Sequence, residues 1–206
     1  MVYPSDADDD PLRALLPAVA DGDARAINQL LEAIGPRILR VVRQVLGATH
    51  PEVEDVVQEA AFGVMEALPD FRGECRVLYF ASRVALLTAM NARRRLSLRE
   101  RVTSTARVSD LDELASSDQS PSAALRAARR RRAVMELLAE LPAGQAEALA
   151  MHCVLGYTLD ETAEACRAPV NTVRGRLLTA KAALRKRLDA DPELRDEVLD
   201  SERGVS

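Results

Sequence analysis

Residues 156–188, GYTLDETAEACRAPVNTVRGRLLTAKAALRKRL, contain the clearest structural signals in the sequence. Thr158 and Glu161 have the spacing of a capping box, so a helix is expected to begin near Leu159. That helix must be short, because CRAPV interrupts it, and Pro169 suits the first turn of the next helix. A short helix, a tight turn and a longer basic helix together predict a helix-turn-helix.

A helical projection of the last segment separates an apolar stripe from an exposed face. The expected core stripe is Val173, Leu177, Ala180, Leu184 and Leu188. The opposite face carries Gly175, Leu178, Thr179 and Ala182, with Arg174 and Arg185 on one flank and Arg176 at the other edge. A flat surface of small residues edged by basic side chains fits a DNA major groove. Taken alone, this helix also fits an ordinary amphipathic surface helix with solvated arginines.

The composition predicts an all-α protein. Apolar residues make up 48% of the 206 residues, but aromatic residues only 3%, and Trp is absent, so the cores are expected to be rich in Leu, Val and Ala. Ala and Leu favour helices, and no convincing alternating strand pattern is present. The sequence contains no run of about 18 apolar residues, so no transmembrane helix is predicted. The first residues do not have the pattern of a signal peptide.

The net charge of −4 conceals an uneven distribution. The first ten residues contain four Asp and no base, and residues 189–206 contain seven acids and two Arg, so the part between them is net positive. The segment TSTARVSDLDELASSDQSPS reads as a flexible linker. These features predict an acidic disordered tail at 1–10, a helical domain at 11–98, a linker at 99–122, a second helical domain at 123–190 and an acidic tail at 191–206.

Two helices of the first domain present unusual outer faces. In residues 52–68 the projection places Asp55, Gln58, Glu59, Phe62 and Glu66 outward. A Phe in the middle of an acidic face suggests an interface with a basic protein, although solvation or packing within the domain remains open. On the helix after Cys75, Tyr79 lies among arginines, which could clamp single-stranded nucleic acid. Without the rest of the chain, packing of Tyr79, Leu86 and Met90 on a neighbouring helix is the favoured reading.

Together, these features resemble the sigma-70 family, and within it the two-domain extracytoplasmic-function (ECF) sigma factors. EDVVQEAAFGVMEALPDFRGE resembles region two, and Asp55, Gln58 and Glu59 match its D-x-x-Q-E core. Residues 141–188 resemble region four, matching at Leu141-Pro142, Gly156-Tyr157, Thr172-Val173 and Arg176 among others. The sequence departs from the family pattern where members carry Trp near Tyr79 and an Arg-Asn pair near Ala85-Leu86.

The resemblance implies a protein that binds core RNA polymerase and directs it to promoters. It implies that Asp55, Gln58, Glu59 and Phe62 dock on the β′ clamp helices, with further contact to the β subunit. It implies minus-ten contacts from Arg72, Tyr79, Arg83, Arg93 and Arg94. It implies minus-thirty-five contacts from Arg174, Gly175, Arg176, Leu178, Thr179 and Lys181. ECF factors are often held by an anti-sigma factor, so such a partner is also considered.

Two other classes of function account for less of the sequence. A helix-turn-helix regulator that does not join the polymerase would explain residues 143–188 but would leave the acidic helix without a role. An enzyme is disfavoured, because no phosphate-binding loop, HExxH motif or nucleophile–base pair is present. The sequence predicts no catalytic residue, no cofactor and no metal site. Three cysteines without a CxxC pair indicate a reducing compartment, so the protein is expected to be cytoplasmic.

Overall fold

The computed structural model describes residues 10–103 and 121–199, with side chains placed for 10–99 and 125–199. Every regular element in these ranges is helical. A 3₁₀ turn at Pro11–Leu15 leads into α1 (Leu16–Ala20), α2 (Ala24–Leu46), α3 (Val53–Ala67) and α4 (Val77–Thr103). After the gap come α5 (Pro121–Ala139), α6 (Ala143–Leu149), α7 (Leu159–Ala165), α8 (Val170–Ala190) and α9 (Pro192–Leu199). The all-α prediction is confirmed.

The first domain is built around the long helix α2. Asp23 begins this helix, because its carboxylate accepts the backbone N–H groups of Arg25 and Ala26 at 2.8 Å each. The Gly35-Pro36 pair predicts a break, but the helix continues through it. Pro36 lies on the exposed face, where water can reach the carbonyl it leaves unpaired. Ile34 and Ile38, both fully buried, keep the two halves of the helix in one core.

Helix α3 starts differently from the sequence prediction. The spacing of Thr49 and Glu52 predicts a capping box, but the box does not form and the helix begins at Val53. His50 replaces it, since its Nδ1 accepts the backbone N–H of Glu52 at 3.2 Å. The inward stripe agrees with the projection: Val53, Val56, Ala60 and Val64 are all buried.

Asp10 and helix α4 correct the expected boundaries of the first domain. Asp10, assigned to the disordered tail, accepts the N–H of Leu12 at 3.1 Å and that of Val77 at 2.6 Å. One carboxylate therefore caps two helix starts, a favourable position for a negative charge. The sequence predicts that the helix after Cys75 ends near Ser97, but α4 runs to Thr103. The remaining residues of the predicted linker, 104–120, lie outside the described part of the chain, as do residues 1–9 and 200–206.

The second domain contains the predicted helix-turn-helix. Thr158 accepts the N–H of Glu161 at 3.2 Å, and the Glu161 carboxylate accepts the N–H of Thr158 at 2.8 Å, which confirms the capping box. Helix α6 continues as one wide turn over Ala150–Val154, and α7 and α8 pack on it. Helix α9 is not predicted from the sequence, because Asp191-Pro192-Glu193 has the composition of an acidic tail. Asp191 caps it through the N–H of Leu194 at 3.1 Å.

The two domains pack against each other in this structure. Helix α4 contacts α2 and α3 on one side, and α7 and the wide turn after α6 on the other. Buried side chains of both domains form one continuous core. Within residues 10–103 and 121–199, no helix is long and apolar enough to cross a membrane.

Candidate nucleic-acid and protein interfaces

The faces of α8 are buried and exposed as the projection predicted. Val173, Leu177 and Ala180 are buried, whereas Leu178 on the opposite face is 66% exposed. The hydroxyl of Thr179 donates to the Gly175 carbonyl at 3.0 Å, so it is occupied by the helix backbone. This face therefore offers methyl and methylene groups, which suit contact with a thymine methyl group.

The basic side chains around this face divide into two groups. Arg174 is exposed, and its Nη1 donates to Asn171 Oδ1 at 3.1 Å, which orients the guanidinium and leaves other N–H groups outward. Lys181 is also exposed. Arg176 is half-buried and lies over Gly144, where its Cζ would be 3.2 Å from an added Cβ. Arg176 thus packs on the start of α6, and Asn171 is a neighbour of Arg174 that the sequence reasoning missed.

The outer face of α3 is exposed as predicted. Asp55, Gln58 and Glu59 are exposed, and Phe62 is 70% exposed. Glu59 already has an intramolecular partner, since Arg95 of α4 donates to its two oxygens at 3.1 and 2.7 Å. The bidentate pair fixes Glu59 at one edge of the face, while Phe62 remains open at its centre.

The residues expected to contact the minus-ten element are not brought together on one open surface. Arg72 and Arg94 are exposed. Arg93 is half-buried, with Nη1 3.4 Å from the Val45 carbonyl and Nη2 3.4 Å from that of Arg132. Ala85 and Leu86, at the positions that depart from the family pattern, are completely buried.

Tyr79 and Arg83 face the second domain. The Tyr79 hydroxyl donates to Glu161 at 2.5 Å, and its ring meets the Tyr157 ring edge-on with centroids 5.1 Å apart. Arg83 Nε donates to the carboxylate of Glu147, a residue only 8% exposed. The structure shows Tyr79 packed against a neighbouring helix, which is the alternative to nucleic-acid contact that the sequence of α4 favours when it is taken alone.

Further polar contacts surround Tyr79 and Arg83. The Tyr157 hydroxyl donates to the buried Ser82 hydroxyl at 2.7 Å, and the Arg37 guanidinium lies 5.0 Å from the Tyr157 ring centroid. Arg167 pairs with Glu74 at 3.3 Å. Beside these contacts, an open groove of about 1400 Å³ runs between the domains, lined among others by Asp70, Arg72, Glu74, Asp160, Glu164 and Arg167.

The protonation of these groups follows their surroundings. Burial and the hydrogen bond to Glu161 raise the pKa of Tyr79, which therefore stays a neutral donor. Burial opposes ionisation of Glu161, but the hydrogen bonds from Tyr79 and Thr158 outweigh it and lower the pKa of this carboxyl. The Tyr79–Glu161 contact is thus a charge-assisted hydrogen bond.

The three cysteines differ in accessibility, which gives a first prediction. Cys153 is exposed, whereas Cys75 and Cys166 are buried. Burial raises the pKa of Cys75 to about 11 and that of Cys166 to about 12, so neither forms a thiolate near neutral pH. In the native protein at pH 8, we expect iodoacetamide to modify Cys153 within minutes and the other two at least about 10-fold more slowly. Peptide mass spectrometry measures the three rates, and equal rates would contradict the buried placement.

No group of three or more His, Cys, Asp or Glu residues suited to a metal ion occurs in the parts of the chain described.

Comparison with known proteins gives a consistent picture. The sequence model of sigma-70 region 2 matches residues 30–99, and that of sigma-70 region 4 matches residues 131–184. No curated protein matches by sequence. The structure of CnrH in complex with the cytosolic domain of CnrY is similar, with a TM-score of 0.51 and 26% identity, over 88% of this chain and 99% of that one. The sigma factor RpoE in complex with the anti-sigma factor NepR from Bartonella quintana has a TM-score of 0.46 and 16% identity, over 80% and 97% of the two chains.

The fold and its surfaces define a two-domain helical transcription protein with a helix-turn-helix in its second domain. The chain belongs to the sigma-70 family, because models of two of its regions match more than half of the residues in the expected order. It is of the ECF type and is an RNA polymerase sigma factor, with core RNA polymerase and promoter DNA as its partners. Sigma factors are non-enzymatic initiation factors.

Proposed function

We propose that the protein divides promoter recognition among three surfaces. The outer face of α3 binds core polymerase, α4 and the preceding turn bind the minus-ten element, and the exposed face of α8 binds the minus-thirty-five element. The exposed Phe62 at the centre of an acidic helix face is the observation that carries the docking assignment. The domains proposed for these tasks are 11–98 and 123–190, joined through 99–122, with the ends of α4 and α5 extending into that junction.

The α3 face suits a basic helical partner such as the β′ clamp helices. Asp55 and Glu59 supply negative charge, and Phe62 supplies an aromatic anchor of the kind that dominates binding energy at interfaces. Gln58 lies between them and can donate or accept. The Arg95–Glu59 pair holds one carboxylate in place, which reduces the entropy lost when a partner binds.

The α8 face suits reading of double-stranded DNA. Arg174 is oriented by Asn171, and Gly175 gives the closest approach between the helix backbone and a base edge. Leu178 and Thr179 present apolar groups for thymine methyl contacts. Lys181 supplies a phosphate contact. The Arg176 side chain can contact a phosphate as well only if it leaves its position on α6.

The minus-ten contacts are assigned to Arg72, Tyr79, Arg83, Arg93 and Arg94, of which Arg72 and Arg94 are exposed in this structure. Tyr79 supplies an aromatic face on which an unpaired base can stack, and the arginines supply positive charge along the strand. We place this activity in the cytoplasm, where core polymerase and DNA are accessible.

We further propose that an inhibitory protein partner of the anti-sigma kind binds the two domains. CnrH, which resembles this chain along almost its entire length, was solved with the cytosolic domain of CnrY. The open groove between the domains, with acidic residues on both walls, is the place on this chain that such a partner would fit.

Gel filtration with purified core polymerase tests the proposed function. The chain is expected to co-elute with core enzyme at a one-to-one ratio, as a sigma factor does. A helix-turn-helix regulator that does not join the polymerase would elute separately while still shifting duplex DNA, and that result would overturn the proposal.

A further inference from the structure

We infer that Asn171 is an additional base-reading residue: its side-chain amide contacts an adenine in the base pair next to the guanine that Arg174 contacts. This role depends on the proposed binding of α8 to the minus-thirty-five element. It goes beyond that proposal, because it gives Asn171 a base contact of its own and states two adjacent base pairs, A·T and G·C, that the element should contain.

Asn171 lies in the first turn of α8, which begins at Val170. In a helix-turn-helix, the N-terminal residues of the second helix contact the edges of the bases. Asn171 is exposed, and it precedes Arg174 and Gly175 by three and four residues, which places all three on one side of the helix. Asn171 therefore extends the exposed face of α8 by one turn toward the N-terminal end of the helix.

Asn171 does not have the structural role that is usual for an asparagine near a helix start. Such an asparagine stabilises the helix when it occupies the N-cap position and accepts a backbone N–H. The N-cap position of α8 is Pro169, and no side chain of the described residues caps this helix. Asn171 is also not buried, and asparagine favours a helix less than alanine does. Capping, packing and helix propensity therefore do not account for an asparagine at this position.

The Asn171 amide retains hydrogen-bonding capacity beside Arg174. Arg174 Nη1 donates to Asn171 Oδ1 at 3.1 Å, and no other group among the described residues hydrogen-bonds this amide. Because a guanidinium group only donates, the amide atom that faces Arg174 is the oxygen, and the NH₂ group points away from it. An amide oxygen accepts two hydrogen bonds and an NH₂ group donates two, so one acceptor site and both donors remain.

The remaining donor and acceptor sites match an adenine in the major groove. Adenine presents the N7 acceptor and the N6 donor there, and an asparagine amide pairs with both. The Arg174 guanidinium pairs in the same manner with O6 and N7 of guanine. The atoms through which Arg174 and Asn171 meet are 3.1 Å apart, close to the rise of about 3.4 Å between successive base pairs. The two joined side chains therefore suit two base pairs that follow one another.

The centre of the exposed face cannot perform this recognition. Gly175 has no side chain, Leu178 is apolar, and the Thr179 hydroxyl donates to the Gly175 carbonyl. Such groups suit thymine methyl contacts but do not distinguish adenine from guanine. Asn171 thus adds a hydrogen-bonding side chain to a face whose centre is apolar.

Transcription by the holoenzyme from a promoter library tests the role of Asn171. The library carries every base combination in the minus-thirty-five element of a promoter on which the wild-type chain initiates, and sequenced transcripts give the preference at each position. The wild-type chain should prefer adenine next to guanine. Asn171→Ala should lower the adenine preference about 5- to 150-fold and retain most of the guanine preference. Alanine favours a helix more than asparagine does, so α8 should stay folded in this variant.

Asn171→Asp separates a base contact from a structural effect. A carboxylate only accepts hydrogen bonds, and it pairs with the N4 amino group of cytosine. The preference at the same position should therefore change from adenine to cytosine. Thr172→Ala is the matched control, since Thr172 is exposed in the same turn but lies about 100° around the helix from Asn171. This control should leave the preference at that position unchanged.

The contrary outcomes are distinct from one another. A uniform loss of transcription on every sequence with Asn171→Ala would make Asn171 a phosphate contact and overturn base reading. A loss confined to the guanine preference would leave Asn171 only orienting Arg174, and an equal change with Thr172→Ala would show that the effect is not specific to Asn171. If the wild-type chain supports no initiation with core polymerase, the proposed function itself fails, and the role of Asn171 fails with it.

Discussion

Replacing Asp55 with Arg is expected to lower the affinity for core polymerase at least about 100-fold while leaving the fold intact. Asp55 is exposed on the outer face of α3, where a positive charge would oppose a basic partner surface. A like-charge contact at an interface costs several kcal/mol, and about 1.4 kcal/mol corresponds to a factor of ten. Fluorescence anisotropy with labelled core enzyme measures the loss. Reversal of both Asp55 and Glu59 should abolish binding altogether.

Glu54→Arg is the matched control for this substitution. Glu54 is the neighbouring acid in the same first turn of α3, so both changes disturb the helix dipole equally. Its side chain projects about 100° away from that of Asp55, off the proposed docking face. We expect Glu54→Arg to retain most of the affinity for core polymerase. An equal loss of affinity in both variants would contradict the docking role of the outer face of α3.

The second large effect is expected at Arg174. Arg174→Ala should reduce transcription from a promoter with the preferred minus-thirty-five element about 5- to 150-fold, since a good contact between Arg and guanine contributes about 1–3 kcal/mol. It should leave binding to core polymerase unchanged. Arg174→Ala should also reduce the discrimination against base substitutions at one position of the minus-thirty-five element. Transcription from promoter variants measures this discrimination.

Arg185→Ala separates base reading from general charge. Arg185 is exposed nearer the C-terminal end of α8, where we expect a phosphate contact and no base reading. This variant should weaken binding by a similar small factor on every promoter and make it less sensitive to salt. If Arg174→Ala behaves in the same uniform way, the assignment of base reading to this helix face is wrong.

Local signals allowed much of the fold to be predicted from the sequence. The capping box of Thr158 and Glu161 located α7, and periodicity correctly divided the faces of α3 and α8. Predictions failed where a local signal met a competing interaction. At Pro36 the buried stripe on both sides of the proline outweighed its tendency to break the helix. Asp10 caps the start of α4 through the N–H of Val77, which is distant in sequence.

The packing of the two domains could not be predicted from the sequence. Tyr79 and Arg83 have the same exposed position in a projection of α4 whether or not another domain covers them. Only the folded chain brings them to Glu161 and Glu147, which are 82 and 64 residues away in sequence. The projection also treated Arg176 as an outward side chain, because it does not include the neighbouring helix α6, where Gly144 leaves room for the guanidinium.

Run-off transcription with purified core polymerase is the direct assay of whether this protein directs initiation. Core enzyme is incubated with a genomic fragment library, with and without the chain, and the transcripts are sequenced. We expect discrete start sites that depend on the added chain, share two upstream elements and are lost with the Asp55→Arg variant. An identical set of transcripts with and without the chain would contradict the conclusion that this protein directs initiation.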